Sequence, residues 1–547
     1  MTSGPTGKSF DYIVVGGGSA GCVAAARLVS DFGARVLVLE AGADYGAWIL
    51  RIPAGFAKML DGSRYLTQHW TVPQEQLGGR VQLIPQGNVL GGGSSINAQG
   101  YMRGRAADYD AWGEIAKTDL WSWEKILPHF TGMELNERFN NRFHGIRGPL
   151  KVSYPAFTCE MSHLYVKTVQ ALGSPFNPDF NAGNPGGVGY IQVTAANGRR
   201  CSAVDAFIAP LAGREELQID TGARVRRILV ENARAVGVEY EQSGQTFSAH
   251  VDGEVLLAAG ALVSPQILML SGIGPADDLR QLGISVKADL PGVGRNLQDH
   301  AGAPVSASAV GALGYFRQDS GIRMILNGLQ YVLFGTGRVA TNGVEACSYH
   351  VPEDGTGDPV VQIWCVPKTS YIDKDVRGVP DIDGVTLHAV LLRPRSIGWV
   401  RLRSPDPDAL PLVNPNYLGH PDDVRHLREG LRVARQIMAE APLRDIVREE
   451  ILPGSAATSD TALDDHLRRT VKTDYHPVGT CRMGSDDDVN AVVSPDLRVR
   501  GIERLRVVDA SVMPKLVSAN TNAPTMALAD RAVSLMRGER AAAPRRT

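Results

Sequence analysis

DYIVVGGGSAGCVAAARLVSDFGARVLVLEAG, residues 11–42, decides the fold class of this chain. DYIVV is short, apolar and β-branched, as a buried strand is. Gly16, Gly18 and Gly21 follow with the spacing G-x-G-x-x-G, and SAGCVAAARLVS reads as the helix behind them. RVLVLE is a second apolar strand, and it ends in Glu40. Gly16 permits a tight turn, Gly18 lets the main chain approach a pyrophosphate, and Gly21 lets the helix pack on the strand. The helix start offers free N–H groups and a positive dipole end to phosphates. Glu40, about twenty residues past the glycines, is placed to accept hydrogen bonds from ribose hydroxyls and disfavours a 2′-phosphate. Glycines between two strands, with an acid at that distance, predict a Rossmann-like dinucleotide-binding unit. The pattern alone does not separate NAD from FAD.

A chain of 547 residues exceeds one compact core, so at least two domains are expected. The formal net charge of −2 speaks against a nucleic-acid partner, which needs a basic face. Cys22, Cys159, Cys201, Cys347, Cys365 and Cys481 are scattered singly, without metal-ligand or C-x-x-C spacing. Reduced thiols and no metal site are therefore expected. No signal peptide and no apolar run of spanning length is visible. A cytoplasmic protein without an integral membrane segment is the expectation, which leaves peripheral membrane association open. The basic tail AAAPRRT is expected to fray.

Glycine-rich segments recur at 11–42, 87–110 and 252–274, and again near the C-terminus. The expected architecture is α/β (α+β): a discontinuous Rossmann-like domain plus a substrate domain with a mostly antiparallel sheet capped by helices. The first takes residues 8–152, 197–305 and 490–540, and the second 153–196 and 306–489. Residues 223–240 read as two strands turning at Asn232, and 252–274 as a strand followed by a helix from Ser264 with Pro265 in its first turn. Residues 359–366, 384–393 and 398–403 read as strands of one separate sheet. Residues 421–440 and 460–470 read as polar-faced helices. LRVVDA (505–510) is a buried strand, and residues 523–536 form a long amphipathic helix. Segment 311–345 is glycine-punctuated and is expected to form a lid or rim.

Three stretches carry chemistry. In residues 87–110, Gly91, Gly92, Gly93, Ser94 and Ser95 make a loop of little bulk and many N–H groups, suited to phosphates and the edge of a flat ring. A surface loop is the alternative reading. Tyr475-His476-Pro477-Val478-Gly479-Thr480 sets one histidine before a proline, which holds the chain extended and aims the ring. A lone histidine serves structure as readily as catalysis, and these residues alone do not choose. Ser518-Ala519-Asn520-Thr521-Asn522-Ala523-Pro524 leads into the final helix, with Asn522 near its cap and Pro524 in its first turn. The positive dipole end of that helix would stabilise negative charge on a reduced flavin.

These segments resemble the glucose–methanol–choline (GMC) flavoprotein oxidoreductases over nearly the whole chain. One family signature is matched from Gly87 to Asp110, a second from Gly260 to Gly274. RPRSIGWVRLRSPDP, NPNYLGHPDD, YHPVGTCRMG and VVDASVMP with NTNAPTMALADRA match the C-terminal half. VMPKLVSANTNAP is also similar to bacterial alcohol and L-sorbose-type dehydrogenases of the family.

The resemblance implies FAD. Gly16, Gly18, Ser19, Ala20, Gly21 and Glu40 would hold its ADP part. Val89, Gly92, Asn97 and Gly100 would line the pyrophosphate and flavin edge, and Val225 would touch the adenine. Asp509 and Ala510 would sit beside the ribityl chain, with Thr521 and Asn522 at the pyrimidine side. His476 would be the active-site base and Asn520 its partner in oxidising an alcohol (primary alcohol, polyol or sugar alcohol) to an aldehyde or ketone. Some members bind FAD covalently through a histidine directly before the signature's Asn; here Ile96 stands there, so noncovalent FAD is expected. Asn88 replaces a frequent Arg or Lys, leaving the main chain to bind the pyrophosphate. The electron acceptor is left open among a quinone, a redox protein and O2. An oxidase, a hydroxynitrile lyase and a light-driven decarboxylase of the same fold are the rival readings. Gln362, Trp364 and His388 would face the substrate by strand alternation, or else belong to the core or cap.

Overall fold

The computed structural model describes residues 10–60, 62–183, 185–351, 357–369 and 380–542. Two seven-stranded sheets organise the chain. In the first, Phe10–Val15 lies parallel between Val36–Glu40 and the end of the long strand Gln245–Leu257. Leu217–Thr221 extends one edge, and Leu505–Val507 pairs with Gln245–Leu257. The central strands are buried on both faces, hence the continuous apolar runs Ile13–Val15 and Val36–Leu39 within them. The earlier part of Gln245–Leu257 instead pairs antiparallel with the hairpin Ala223–Glu231 and Arg234–Gln242. That hairpin turns at Asn232 and Ala233, both at positive φ (49° and 58°), the geometry of a type I′ turn.

The helix expected from Ser264 begins at Gly260 and runs to Leu270, so Pro265 is interior. Proline cannot donate to the carbonyl four residues back, that of Ala261. The Thr480 hydroxyl donates to that carbonyl at 2.6 Å instead. The substituted hydrogen bond is why helix pattern and proline coexist here.

The second sheet is antiparallel, with Ala301–Ala309 between Val447–Leu452 and Gly384–Leu391, followed by Val361–Val366, Ala346–His350 and Gly187–Tyr190. Lys472–Thr473 also joins Ala301–Ala309. That strand runs across the boundary set at residue 305. The helices Pro421–Met438 and Asp460–Thr470 cap the sheet, burying Leu427, Leu431, Ile437, Leu463 and Leu467. Residues 398–403 do not belong to it. Gly398–Arg401 pairs with Arg295–Leu297 and Leu412–Asn414 in a separate three-stranded sheet, because its neighbours lie on the nucleotide side of the molecule. The final helix is Asn522–Ala542, longer than its apolar pattern; the tail beyond Ala542 lies outside the described residues. Segment 311–345 contains the helix Gly321–Phe334.

Candidate active site and cofactor cleft

A cavity of about 730 Å³ is lined from both sheets. At one end the glycines have three different reasons. A Cβ on Gly16 (φ +99°) would meet the Ala258 carbonyl at 2.6 Å, and one on Gly21 would meet the Gly16 carbonyl at 1.9 Å. A Cβ on Gly18 would meet no protein atom nearer than 3.9 Å, yet Gly18 lines the cavity. Its missing side chain leaves room for a ligand, not for the protein. Gly92 (φ +50°) stacks directly on Gly18, where a Cβ would come within 2.8 Å of the Gly18 Cα. Glu40 is 7% exposed and accepts from the Gly17 N–H at 2.8 Å and the Gly42 N–H at 2.7 Å. Burial pushes its carboxyl up to about 7 against those two backbone donors. Each oxygen retains a lone pair for a ribose hydroxyl.

At the other end sits His476, held by main-chain pairing that crosses the chain. Gln298 and Val478 exchange backbone hydrogen bonds at 3.1 and 2.9 Å, and the Asp474 N–H donates to the His300 carbonyl at 2.8 Å. This antiparallel run lays Asp299 and His300 beside Asp474 and His476. The Asp299 carboxylate accepts from the His476 N–H at 2.9 Å, and its other oxygen from the Thr473 and Tyr417 hydroxyls. Burial pushes that carboxyl up to about 6.

Hydrogen bonds fix the tautomers. His300 Nε2 faces the Leu392 carbonyl at 3.2 Å, an acceptor only, so Nε2 carries the proton. Burial holds His300 down to about 4, so its ring is neutral and Nδ1 is an acceptor. His300 Nδ1 lies 2.9 Å from His476 Nδ1, which must then donate. The lone pair of His476 is therefore on Nε2, where the Asn520 amide Nδ2 donates at 3.1 Å. Burial, and then the neighbouring His300, hold His476 well below its ordinary value. Asp474 Oδ2 lies 3.6 Å from His476 Nδ1, but burial and Asp299 push the Asp474 carboxyl up to about 8. Both groups are neutral near pH 7, and no ion pair forms.

The expected site residues converge with few exceptions. Gly16, Gly18, Ser19, Ala20, Glu40, Gly92, Asn97, Gly100, Val225, Asp509, Ala510, Asn520, Thr521, Asn522 and His476 all line the cavity, as does Ile96. Gly21 packs on Gly16 beneath it, and Val89 is fully buried under the glycine loop, its carbonyl accepting from the Gly92 N–H at 2.7 Å. Asp509 is occupied by protein donors, the Gly260 N–H, the Ser264 hydroxyl and the Ser511 N–H, at 2.6 to 2.8 Å. Trp364 and His388 line the cavity. Gln362 is on the same strand face but faces the sulfur atoms of Met102 and Cys347, because Met102 intervenes.

The residues fit FAD. Gly18 keeps open a cradle that a Cβ would fill, and the start of helix Asn522–Ala542 faces the cavity with Thr521, Asn522 and Thr525. Asn520 Oδ1 is buried with no hydrogen-bond partner among the described residues. Sequence reasoning missed Asp299, His300, Asp474 and Arg200. Arg200 is buried and pins the glycine loop by donating to the Ser94 carbonyl and to both oxygens of Asn97, at 2.7 to 3.2 Å. The only available signals were the acid–histidine pair in NLQDH and the KTDYH run.

Family models for GMC oxidoreductase match residues 10–302 (N-terminal part) and 394–529 (C-terminal part). The chain belongs to the GMC oxidoreductases, FAD-dependent enzymes with a two-domain FAD-binding fold. It is 38% identical to human mitochondrial choline dehydrogenase over 97% of this chain and 90% of that one. It is also 38% identical to a Pseudomonas putida alcohol dehydrogenase [acceptor] over 96% of this chain and 95% of that one. Among solved structures, pyridoxine 4-oxidase from Mesorbium loti superposes with a TM-score of 0.88 at 31% identity, covering 96% and 99% of the two chains. No described helix is long and apolar enough to cross a membrane, and no group of described residues could hold a metal ion.

Proposed function

We propose that this chain is an alcohol dehydrogenase that oxidises a primary alcohol, polyol or sugar alcohol to an aldehyde or ketone, with His476 as base and Asn520 as the group that orients the substrate oxygen. The observation that carries this reading is the 2.9 Å approach of His300 Nδ1 to His476 Nδ1, with His300 Nε2 set on the Leu392 carbonyl. His476 donates to His300, which donates in turn to the Leu392 carbonyl, and this relay leaves the only lone pair of His476 on Nε2, at the cavity.

A substrate hydroxyl entering beside Nε2 donates its proton there. The imidazolium that results keeps its Nδ1 proton on His300, so the ring need not turn. Asn520 Nδ2 then donates to the substrate oxygen as negative charge develops on it. Bound FAD supplies the acceptor for the two electrons and the hydrogen that leave the carbinol carbon. Asp299 fixes the His476 main chain, and the Pro477 ring restricts it further, so the base is positioned before substrate arrives. Ile96 has no nucleophilic atom, which supports noncovalent FAD at this position. The same polar pair supports alcohol oxidation in the manner of the relatives named for choline and alcohols.

Anaerobic mixing with a panel of alcohols tests the proposal. Loss of the yellow flavin absorbance on mixing is the expected result. Turnover with unchanged absorbance would instead establish a lyase. Oxidation with a quinone or dye but without peroxide from O2 is expected of a dehydrogenase.

A further inference from the structure

Outside the cleft, the helix Gly321–Phe334 is built inside out. An amphipathic helix turns its apolar arc to the core. Here Ile322, Ile325, Leu326, Leu329, Val332 and Leu333 share one arc by helical spacing. All six are exposed, from 52% to 67%. The opposite side seats the helix through Tyr331, which is buried against Ile52 and Ala340. Trp48, 58% exposed, stands beside it with its ring 6.2 Å from that of Tyr331. A contiguous apolar face of this kind marks an interaction site.

Charge identifies what covers it. No acidic residue occurs from Ser320 to Val344, although Asp319 precedes the helix. Arg323 lies exposed on the helix, and Arg199, also exposed, acts electrostatically on Tyr331. A second copy docking on this face by two-fold symmetry would set these arginines against their own copies. Anionic headgroups complement them. The helix has 14 residues, fewer than the ~20 needed to span a bilayer, so it can only lie in the surface.

We propose that the helix Gly321–Phe334, with Trp48 at its side, is a docking surface for an anionic lipid bilayer, lying parallel to the membrane with its apolar arc below the headgroups. The seat of this helix is continuous with the cleft. Ile52 and Ala54 lead into Gly55–Met59, where Phe56 and Ala57 line the cavity, and Asn342 and Val344 line it from the other side. A membrane-dissolved reaction partner would meet the enzyme close to its cavity wall.

The test is sedimentation of the full-length, FAD-loaded protein with vesicles of phosphatidylcholine, pure or mixed with phosphatidylglycerol. The wild type is expected to pellet with the mixed vesicles. The double variant Leu326→Glu with Leu333→Glu should partition about a hundredfold less. Arg323→Gln should lose about fivefold on mixed vesicles and nothing on neutral ones. Flavin reduction by a soluble alcohol should be the same in all of them, which also reports that they are folded. Brominated lipid should quench Trp48, a signal absent from Trp48→Phe. Wild type that stays in the supernatant, a double variant that pellets equally, or quenching that persists in Trp48→Phe would each overturn the proposal. So would lipid-free self-association that the double variant abolishes without any vesicle binding.

Discussion

At the ADP end of the cleft, Gly16, Gly18 and Glu40 come from one uninterrupted stretch, and they act through main-chain geometry. At the other end, His300, Asp474, His476 and Asn520 are brought together from separate parts of the chain, and in the proposed function His476 and Asn520 work through side-chain protons. The first end is a local structure that folds around its own turn. The second exists only once residues near 300 pair antiparallel with residues near 475. The difference teaches where each kind of failure should appear. Damage at the first end should empty the cleft, whereas damage at the second should leave it filled and slow.

His476→Ala gives the largest expected effect: FAD stays bound, and anaerobic reduction by alcohol falls by about 10²–10⁴-fold or more. Reduction at the wild-type rate would break the contrast between the two ends. Gly18→Val should do the converse. Its Cβ has room against protein atoms and its branches extend toward the cradle, so purification should yield folded, colourless protein with an unchanged far-ultraviolet spectrum. A yellow Gly18→Val protein would show that the ligand does not pass there. His300→Phe removes the acceptor that orients His476 and should slow reduction about ten- to a hundredfold, the equivalent of one buried hydrogen bond. Because His300 is a positioning residue, the loss should appear in the rate of flavin reduction, with substrate affinity nearly unchanged.

The pH profile sharpens the same comparison. Burial and His300 keep the folded value of His476 below its ordinary 6.5, so the base stays unprotonated as pH falls through that value. The reduction rate should therefore show no acidic limb at or above pH 6.5; a limb there would mean the imidazole is charged at rest. Glu40 shifts the other way. Its folded value, about 7, exceeds its ordinary 4.5, so its contribution to apoprotein stability is fully present below pH 4.5 and is lost as pH rises through 7. The smallest effect is expected from Thr480→Val, which strips the Ala261 carbonyl of its donor and should lower stability by about 1–3 kcal/mol, measured by denaturant unfolding.

Legibility follows the same division. The strand–turn–helix at 10–32 and Glu40 could be read directly, because the glycine spacing and the acid lie on one stretch of chain, even though the Gly16 position is also closed by the distant Ala258 carbonyl. His476 and Asn520 were reached only through resemblance, since a histidine's role depends on partners that the sequence places far away. His300 went unnoticed for that reason: its proton pattern is set by the Leu392 carbonyl and by pairing with the strand at 472–473. Pro265 misled the helix boundary because the donor that excuses it, Thr480, lies on another segment. Alternation put Gln362 on the correct face, but could not reveal that Met102 covers it.

The interior proline has one more consequence. Thr480 reaches the Ala261 carbonyl only if the count of residues from the imidazole to that hydroxyl is kept. A one-residue insertion there would misaim the ring and, at the same stroke, strand a peptide oxygen in the nucleotide half. The turn is thus held in length as well as in its hydroxyl, and a graft that transplants the base into another scaffold must carry the broken helix along with it.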